Sequence, residues 1–327
     1  MSTTEAPDRR RGETIPAAGP AATPRRRPWS FARFFDDKLL PVLLIAPAVI
    51  VIIGLIGYPV LRTAWLSLTD AQGLPALVQG KMEFIGLDNY LEILRNPRLR
   101  RIALITVGFG LACVAGTMLV GLAVALLLNQ KFRGRGILAV LVLLPWAIPH
   151  VAASYVWKWL FHDQYGIFNW ALSQLPGVDL IGYAWFNRSG TAFLVIGLVV
   201  VWQSFPFVAI ALLAGLQTIP SEVIDAAKVD GANAWQQLWR IRLPMLKPLL
   251  LVLVVISTIW DFKIFDQVFV LTEGGPAGKT KLLAVSVYLD GIAQGQYGLG
   301  SALAMVLFLI MAVFTIVYIW LAREERQ

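Results

Sequence analysis

Long apolar segments separated by shorter polar ones run through this 327-residue chain. Six of the apolar segments are long enough to cross a bilayer core of roughly 30 Å as helices, which takes about 20 residues. They do not show the period-two alternation typical of a transmembrane barrel. Because backbone groups in lipid must be hydrogen-bonded internally, the pattern predicts an all-α integral membrane protein. The predicted spans are residues 39–61, 102–128, 137–161, 191–216, 249–271 and 299–321.

Composition agrees with a membrane protein rather than a water-soluble one. Hydrophobic residues make up 57% of the chain, charged residues 15%, and the mean hydropathy is +0.68. No surface that faces water on all sides accommodates that balance. The single cysteine, Cys113, lies in an apolar segment, which excludes an intrachain disulfide. His150 and His162 have no second histidine or cysteine at metal-ligand spacing, so we expect no metal site, cofactor site or catalytic residue in this chain.

The net charge of +8 is explained by membrane topology without any nucleic acid. Eight of the 28 Lys and Arg lie in residues 1–38, a segment rich in Pro, Ala and Arg that we expect to be a disordered tail. With both termini in the cytoplasm, 17 Lys and Arg face inward and at most nine face outward, which the positive-inside rule favours. The expected organisation is the tail, a six-helix domain over residues 39–322, and a short cytoplasmic C terminus over 323–327.

A polar segment, residues 218–248, separates the fourth and fifth predicted spans. It predicts a helix with Ser221 as its N-cap, a break at Asp230-Gly231, and a second short helix over residues 232–240. Leu243-Pro244 then returns the chain to the membrane. Alanines near the break present little side-chain bulk, so another protein surface can approach the backbone closely. A merely solvated interhelical loop is the alternative.

The residues of this segment resemble the cytoplasmic loop of the membrane subunits of binding-protein-dependent ABC importers. That loop reads Glu-Ala-Ala, three residues, Gly, nine residues, Ile-x-Leu-Pro. Here Asp225-Ala226-Ala227, Gly231 and Ile241-x-Leu243-Pro244 keep every spacing, with Asp225 in place of the usual Glu. The resemblance implies a coupling helix in a groove of an ATPase subunit, with Asp225 pairing with a base there. The implied docking residues are Glu222, Asp225, Ala226, Ala227, Asp230, Gly231, Ala232, Trp235, Leu243 and Pro244.

Further motifs resemble the first of two non-identical permeases in carbohydrate-type importers, the maltose and glycerol-3-phosphate kind. They lie at residues 84–90, 144–149, 271–276 and 297–302. The resemblance implies a type I ABC importer permease fold in a bacterial plasma membrane. It also implies partners: a second homologous permease, two copies of an ATPase subunit and an extracytoplasmic substrate-binding protein or lipoprotein, with membrane lipid around the spans.

The stretch from Gly274 to Thr280, GGPAGKT, looks like a phosphate-binding loop but has the wrong spacing. Only three residues separate Gly274 from Gly278-Lys279, whereas the motif needs four between its first Gly and the Gly-Lys pair. We therefore expect that this chain is not an enzyme and that ATP and Mg are bound by the partner ATPase.

Charged and aromatic residues within the predicted spans are candidates for a substrate path. A charge at membrane depth costs a few kcal/mol unless it is paired or hydrated, so it is a functional candidate by default. Sugar rings stack on aromatic side chains. Pairing of Lys263 with the neighbouring acids, and interfacial anchoring of the rings, are the alternatives. The candidates are Trp146, Trp202, Phe205, Trp260, Asp261, Lys263 and Asp266.

The expected function is translocation of a sugar, oligosaccharide or polyol as the permease subunit of an ATP-driven importer. Glycerol-3-phosphate is the competing substrate, and a phosphate needs basic residues facing the pore, for which Lys158 and Lys263 are the candidates. A secondary transporter would work without any ATPase and would show repeat-related broken helices. A membrane-embedded enzyme would need a catalytic constellation that the sequence does not offer.

Overall fold

A computed structural model of the chain describes residues 40–324. The tail predicted over residues 1–38 and the last three residues of the predicted C-terminal segment lie outside the described residues. The chain divides into two compact units, Met1–Tyr58 and Pro59–Gln327. The described part of the first unit is helical throughout, and the sites discussed below all belong to the second.

Helices account for nearly every element in the described part of the chain, as the apolar pattern predicts. In chain order they are α1 (Leu40–Ile52), a π-helical turn (Ile53–Gly57), α2 (Tyr58–Leu66), α3 (Gly73–Gln79), α4 (Asp88–Arg95), α5 (Pro97–Leu128), α6 (Arg135–Ala147), α7 (His150–Leu160), α8 (Ile167–Leu172), a 3-10 turn (Trp185–Asn187), α9 (Ser189–Gln217), α10 (Ser221–Val229), α11 (Ala234–Gln237), a π-helical turn (Leu238–Arg242), α12 (Leu243–Met245), α13 (Lys247–Phe262), α14 (Asp266–Thr272), α15 (Leu283–Ser286), a π-helical segment (Val287–Ala293) and α16 (Tyr297–Glu324).

Within residues 40–324, five helical segments are long and apolar enough to cross a membrane by themselves: Val42–Leu66, Pro97–Leu128, Ser189–Gln217, Lys247–Thr272 and Tyr297–Leu321. They correspond to five of the six predicted spans. The sixth, predicted as one helix over residues 137–161, is instead the pair α6 and α7, bent by 98°. The pair counts as a sixth span only if it is a single broken crossing.

The break between α6 and α7 follows from Pro149. A proline has no backbone N–H and disfavours helical backbone in the residue before it. Ile148 accordingly adopts extended backbone, with φ −81° and ψ 130°, and α7 begins anew at His150. Pro206, by contrast, lies inside the uninterrupted helix α9.

Close packing of α5 against α9 builds the centre of the second unit. A Cβ added to Gly116 would lie 2.8 Å from the Val201 side chain, and one added to Gly121 would lie 2.6 Å from that of Val208. Because lipid is as apolar as the helices, no hydrophobic force drives membrane helices together. Small residues of this kind stabilise the contact by letting the two backbones approach closely. Helix α9 is thereby fixed beside α5, with its residues around Gln203 next to the α6–α7 break and to a second break at residues 263–265.

A second break interrupts the fifth span at residues 263–265, between α13 and α14. This interruption contains neither Gly nor Pro, and it lies inside the span predicted as one helix over residues 249–271. Helix α14 packs against α7, and Lys158 Nζ donates to the Val270 carbonyl at 2.9 Å. The second halves of the third and fifth spans are therefore in direct contact.

A charged cluster ties the segment after α15 to the start of α5. Asp290 is buried and accepts hydrogen bonds from Arg98 Nη2 at 2.6 Å, from Lys281 Nζ at 3.0 Å and from the Ser286 hydroxyl. Burial by itself would raise the pKa of Asp290, but the hydrogen bonds from Ser286 and Lys281 and the charges of Lys281 and Arg98 together lower it below its ordinary value. Asp290 is therefore held as a carboxylate.

Candidate docking loop and membrane cavity

The predicted docking segment begins with helix α10, whose N-cap lies one residue earlier than predicted. Ser221 is the first helical residue rather than the N-cap, and Pro220 occupies the cap position with φ −57°. The fixed φ of proline suits a helix entry but offers no side-chain acceptor. Glu222 lies in the first turn, where the helix dipole favours an acid.

The predicted break at Asp230-Gly231 is confirmed and has a defined geometry. Gly231 has φ +80°, its N–H donates to the Lys228 carbonyl at 3.0 Å, and the Ala232 N–H donates to the Ala227 carbonyl at 2.9 Å. These two bonds form a Schellman motif, which ends a helix through a left-handed residue. Glycine adopts that conformation without the Cβ penalty, so the family-like Gly231 has a backbone reason to be here.

The second short helix starts two residues later than predicted and continues further. Asn233 caps α11, accepting from the Gln236 N–H at 2.9 Å while the Gln236 side chain accepts from the Asn233 N–H at 2.9 Å. This capping box displaces the helix start from Ala232 to Ala234. The helical path then runs on through the π-helical turn into α12 rather than stopping at Arg240.

The exposed surface of the loop differs in part from the predicted docking residues. Ala227 is buried, so its side chain is not available to a partner, and Ala232 and Leu243 are half-buried. Trp235 is 67% exposed, and two residues outside the prediction, Val229 at 88% and Trp239, add to its apolar surface. The remaining predicted residues are exposed, namely Glu222, Asp225, Ala226, Asp230, Gly231 and Pro244.

Asp225, the residue that stands where the family usually has Glu, already has a partner within the loop. Lys228 Nζ lies 2.8 Å from Asp225 Oδ1, and both side chains are mostly exposed. An exposed pair of this kind contributes at most about 1 kcal/mol, so it does not prevent Asp225 from pairing elsewhere.

A cavity of about 490 Å³ lies where the two helix breaks meet α9. Five of the seven substrate-path candidates line it: Trp146, Trp260, Asp261, Lys263 and Asp266. Its other lining residues are His150, Val200, Gln203, Ser204, Ile264, Phe265 and Gln267.

Trp202 and Phe205, the other two candidates, do not line this cavity. Val200, Gln203 and Ser204 share one helical face by their spacing, and Trp202 and Phe205 lie off that face. Trp202 instead packs edge-to-face on Trp157, with ring centroids 5.4 Å apart.

Asp261 is the most informative residue of the cavity. Its side chain is almost completely buried, and Oδ1 accepts from Ser204 Oγ at 3.3 Å. Oδ2 makes no hydrogen bond of normal geometry to a described residue, and the neighbouring Thr117 hydroxyl is likewise buried without a partner. A buried polar atom without a partner costs free energy, so such an atom beside a cavity is placed to receive a donor.

Lys263 and Asp266 are arranged differently from the alternative weighed in the sequence analysis. Helix α13 ends at Phe262, so the helical spacing that would pair Lys263 with the neighbouring acids is lost. Lys263 is exposed and makes no ion pair within the described part of the chain. Asp266 Oδ2 lies instead 3.7 Å from Nδ1 of His150, a cavity residue for which the sequence predicts no site.

Comparison with known proteins supports the importer resemblance at the level of family and fold. The family described as "Binding-protein-dependent transport system inner membrane component" matches residues 117–327. The chain is similar to the trehalose/maltose transport system permease protein MalF of Thermococcus litoralis, with 38% identity over 90% of this chain and 97% of that one. It is also similar to the diacetylchitobiose uptake system permease protein DasB of Streptomyces coelicolor, with 35% identity over 88% of each chain. For the sulfoquinovosyl glycerol transport system permease protein SmoG of Agrobacterium fabrum, the identity is 38% over 90% of this chain and 94% of that one.

Among solved structures, the fold matches a chain of a bacterial ABC transporter involved in the import of the acidic polysaccharide alginate. The TM-score is 0.73 with 20% identity, covering 90% of this chain and 98% of that one. The predicted all-helical permease fold is thereby confirmed. Family, relatives and fold agree, and the chain belongs to the inner membrane components of binding-protein-dependent transport systems, which are ABC transporter permeases rather than enzymes.

Proposed function

We propose that this chain translocates a sugar, a small oligosaccharide or a polyol, delivered by an extracytoplasmic binding protein and driven by ATP hydrolysis in separate subunits. The observation that carries this proposal is the exposed segment from α10 through Gly231 to α11, which keeps the spacing of the importer docking loop. The substrates in the names of the three relatives are saccharides or a glycosyl glycerol, which supports the substrate class.

The cavity suits a hydroxyl-rich substrate. Trp146 and Trp260 supply ring faces for the C–H faces of a sugar, and Phe207 packs between them at centroid distances of 6.2 and 5.1 Å. Asp261 Oδ2 is a ready acceptor for a hydroxyl. Glycerol-3-phosphate fits less well, because the lining has two acidic side chains, Asp261 and Asp266, and a single lysine to pair with a phosphate.

Docking of an ATPase subunit accounts for the exposed loop. Asp225 would pair with a base of the ATPase, either in place of Lys228 or in addition to it. The apolar surface of Val229, Trp235 and Trp239 would be covered by the ATPase. The complete importer would contain two ATPase copies that bind ATP and Mg, a second homologous permease, and this chain with both termini in the cytoplasm.

Transport would follow from a rigid-body change between two packings. Closure of the ATPase pair on ATP would move the docking loop, and the breaks at residues 148–149 and 263–265 are where the spans can reorient. ATP binding would supply the differential free energy between inward-facing and outward-facing states.

The decisive experiment compares substrate-stimulated ATPase activity of the co-purified complex between the wild type, Gly231→Val and Gly134→Val. Both glycines have positive φ, +80° and +90°, and an added Cβ at either meets no described atom within 4 Å. The two substitutions therefore impose the same kind of backbone strain, inside the docking loop in one case and between α5 and α6 in the other. We expect loss of stimulation only in Gly231→Val. Uptake that persists without any ATPase, or equal effects of both substitutions, would contradict the proposal.

A further inference from the structure

A second cavity, of about 580 Å³, lies beside the docking loop at the ends of three membrane helices. Asn129 caps α5, Arg135 is the first residue of α6 and Gln217 is the last residue of α9, and all three line the cavity. Since the apolar spans end at these residues, the cavity lies at the level where a bilayer changes from acyl chains to head groups. The remaining lining residues are Lys131, Leu216, Ile219, Ser221, Ile224, Asp225, Lys228 and Arg242.

The charge of this cavity is strongly positive and mostly uncompensated. Four of its lining residues are basic and one is acidic, and that acid, Asp225, is paired with Lys228. Lys131, Arg135 and Arg242 make no ion pair within the described part of the chain.

The two arginines are the groups that point most directly to a ligand. Arg135 and Arg242 are half-buried, and they belong to different elements that converge on the same cavity. A partly desolvated guanidinium is unfavourable without an anion, and its fork of N–H donors matches the oxygens of a phosphate.

An exposed apolar surface adjoins the charged cavity on the membrane side. Ile137, two residues after Arg135, is 71% exposed, and Val140, Leu141 and Leu144 continue along α6 with exposures above one half. On the neighbouring helix, Leu127 is also exposed just before Asn129. A ligand with a phosphate at one end and acyl chains at the other would satisfy both surfaces.

We propose that this cavity is a binding site for the head group of an anionic phospholipid. Arg135, Arg242 and Lys131 hold the phosphate, and the acyl chains lie along the exposed face of α6. Basic pockets between membrane helices are suited to such head groups. Because Ser221, Ile224 and Asp225 of α10 also line the cavity, a bound lipid contacts the docking helix directly. An effect of lipid on ATPase coupling would follow if the proposed function holds, whereas the binding site itself does not depend on it.

The test is lipid binding to the full-length chain, measured by native mass spectrometry in detergent. Titrations with phosphatidylglycerol, with phosphatidylcholine of the same acyl chains and with inorganic phosphate are compared. The variants are Arg135→Gln, Arg242→Gln and their combination. Arg133→Gln and Arg240→Gln serve as matched controls, since both are exposed neighbours that do not line the cavity.

We expect each cavity variant to weaken phosphatidylglycerol binding about fivefold, and the double variant about 25-fold if the losses add. The controls should stay within about twofold, and phosphatidylcholine should bind weakly to every form. The same apparent affinity in the double variant and the wild type would overturn the proposal. Displacement of the lipid by inorganic phosphate would assign the site to a soluble anion and overturn it too.

A third contrary outcome concerns the partner proteins. If the cavity variants leave lipid binding unchanged but weaken retention of the ATPase during purification, the arginines belong to a protein interface and the lipid assignment is wrong. Failure of the importer proposal is separately visible, because these lipid titrations involve neither ATP nor transport substrate.

Discussion

Gln267 donates a hydrogen bond from its Nε2 to Oε1 of Gln203 at 3.0 Å, and both side chains are buried. Gln203 in turn donates from Nε2 to the carbonyl of Ile148 at 3.3 Å. Ile148 lies in the break between α6 and α7, whereas Gln267 lies in the first turn of α14, just after the second break. A side chain of α9 therefore connects the two places where the helices are interrupted.

Replacement of Gln203 by Leu is expected to lower the thermal stability of the purified permease. The change leaves the buried Gln267 amide without its partner, at about 1–3 kcal/mol for an unsatisfied group, and also removes the bond to the carbonyl of the exposed Ile148. Gln174→Leu is the control, because Gln174 is exposed and donates to the Trp170 carbonyl of its own helical turn. Its effect should stay within about 0.5 kcal/mol. Equal unfolding midpoints for both variants would show that the bridge does not stabilise the breaks.

The two breaks differ in whether the sequence contains a local signal for them. Pro149 gives a local signal for the first, because a proline disfavours helical backbone in the residue before it. The second, at residues 263–265, has neither Gly nor Pro, and the contacts of α14 with α7 and of Gln267 with Gln203 stabilise it only in the folded chain. The cavity between the breaks could therefore not be delimited from sequence, although five of its residues could be nominated.

Helix positions were predicted more closely than side-chain surroundings. Apolar length places the spans to within a few residues, and the Asn96-Pro97 cap, where Asn96 accepts from the Arg98 N–H at 3.0 Å, explains why α5 starts before residue 102. The candidate docking loop is recognisable because its motif is local. Burial of Ala227 and the approach of Asp266 to His150 depend on neighbours distant in sequence, and no single-sequence pattern predicts them.

Gly121→Ala is expected to destabilise the packing of α5 against α9. The new Cβ would lie 2.6 Å from Val208 Cγ1 and 3.3 Å from the Ala209 backbone nitrogen, and overpacking of this kind costs about 1–3 kcal/mol. Val208→Ala in the same chain should recover part of the loss, measured as the unfolding midpoint. Gly108→Ala on the same helix meets no described atom within 4 Å and should be neutral or slightly stabilising. Destabilisation by Gly108→Ala as large as that by Gly121→Ala would rule out the steric explanation.

Asp290→Asn is expected to destabilise the protein by about 3 kcal/mol near neutral pH, because it leaves a buried cation without its counter-charge. Lys281, 12% exposed, carries most of this effect, since Arg98 is 57% exposed and better solvated. Glu92→Gln is the control for loss of one exposed acid on the same part of the chain. The readout is the unfolding midpoint of each variant in detergent.

The Asp290 cluster also predicts the sign of a pH effect. The folded-state pKa of Asp290 is lowered, so its contribution to stability is fully present above the unfolded-state pKa of about 4 and is lost as pH falls through the folded value. The stability difference between wild type and Asp290→Asn should therefore stay constant from pH 7 to about 5 and shrink below about pH 4. A difference that grows on acidification would contradict the assignment of Asp290 as the charged partner.

Asp261→Leu tests whether the unpartnered carboxylate oxygen receives substrate. If a substrate hydroxyl donates to Asp261 Oδ2, loss of this acceptor should cost about 1–3 kcal/mol of substrate stabilisation, or roughly tenfold in the uptake rate at low substrate. Uptake into proteoliposomes that contain the complete importer is the measurement, with the amount of assembled complex determined in parallel.

Affinity of the separate binding protein for its sugar should not change, since that protein is another chain. Asp179→Leu provides a matched control, because Asp179 is exposed and lies outside the cavity. A tenfold loss of uptake rate with unchanged assembly places Asp261 on the substrate path. A loss of assembled complex without any change in the uptake rate per complex would contradict this, and Asp261 would then be a structural residue that only orders Ser204.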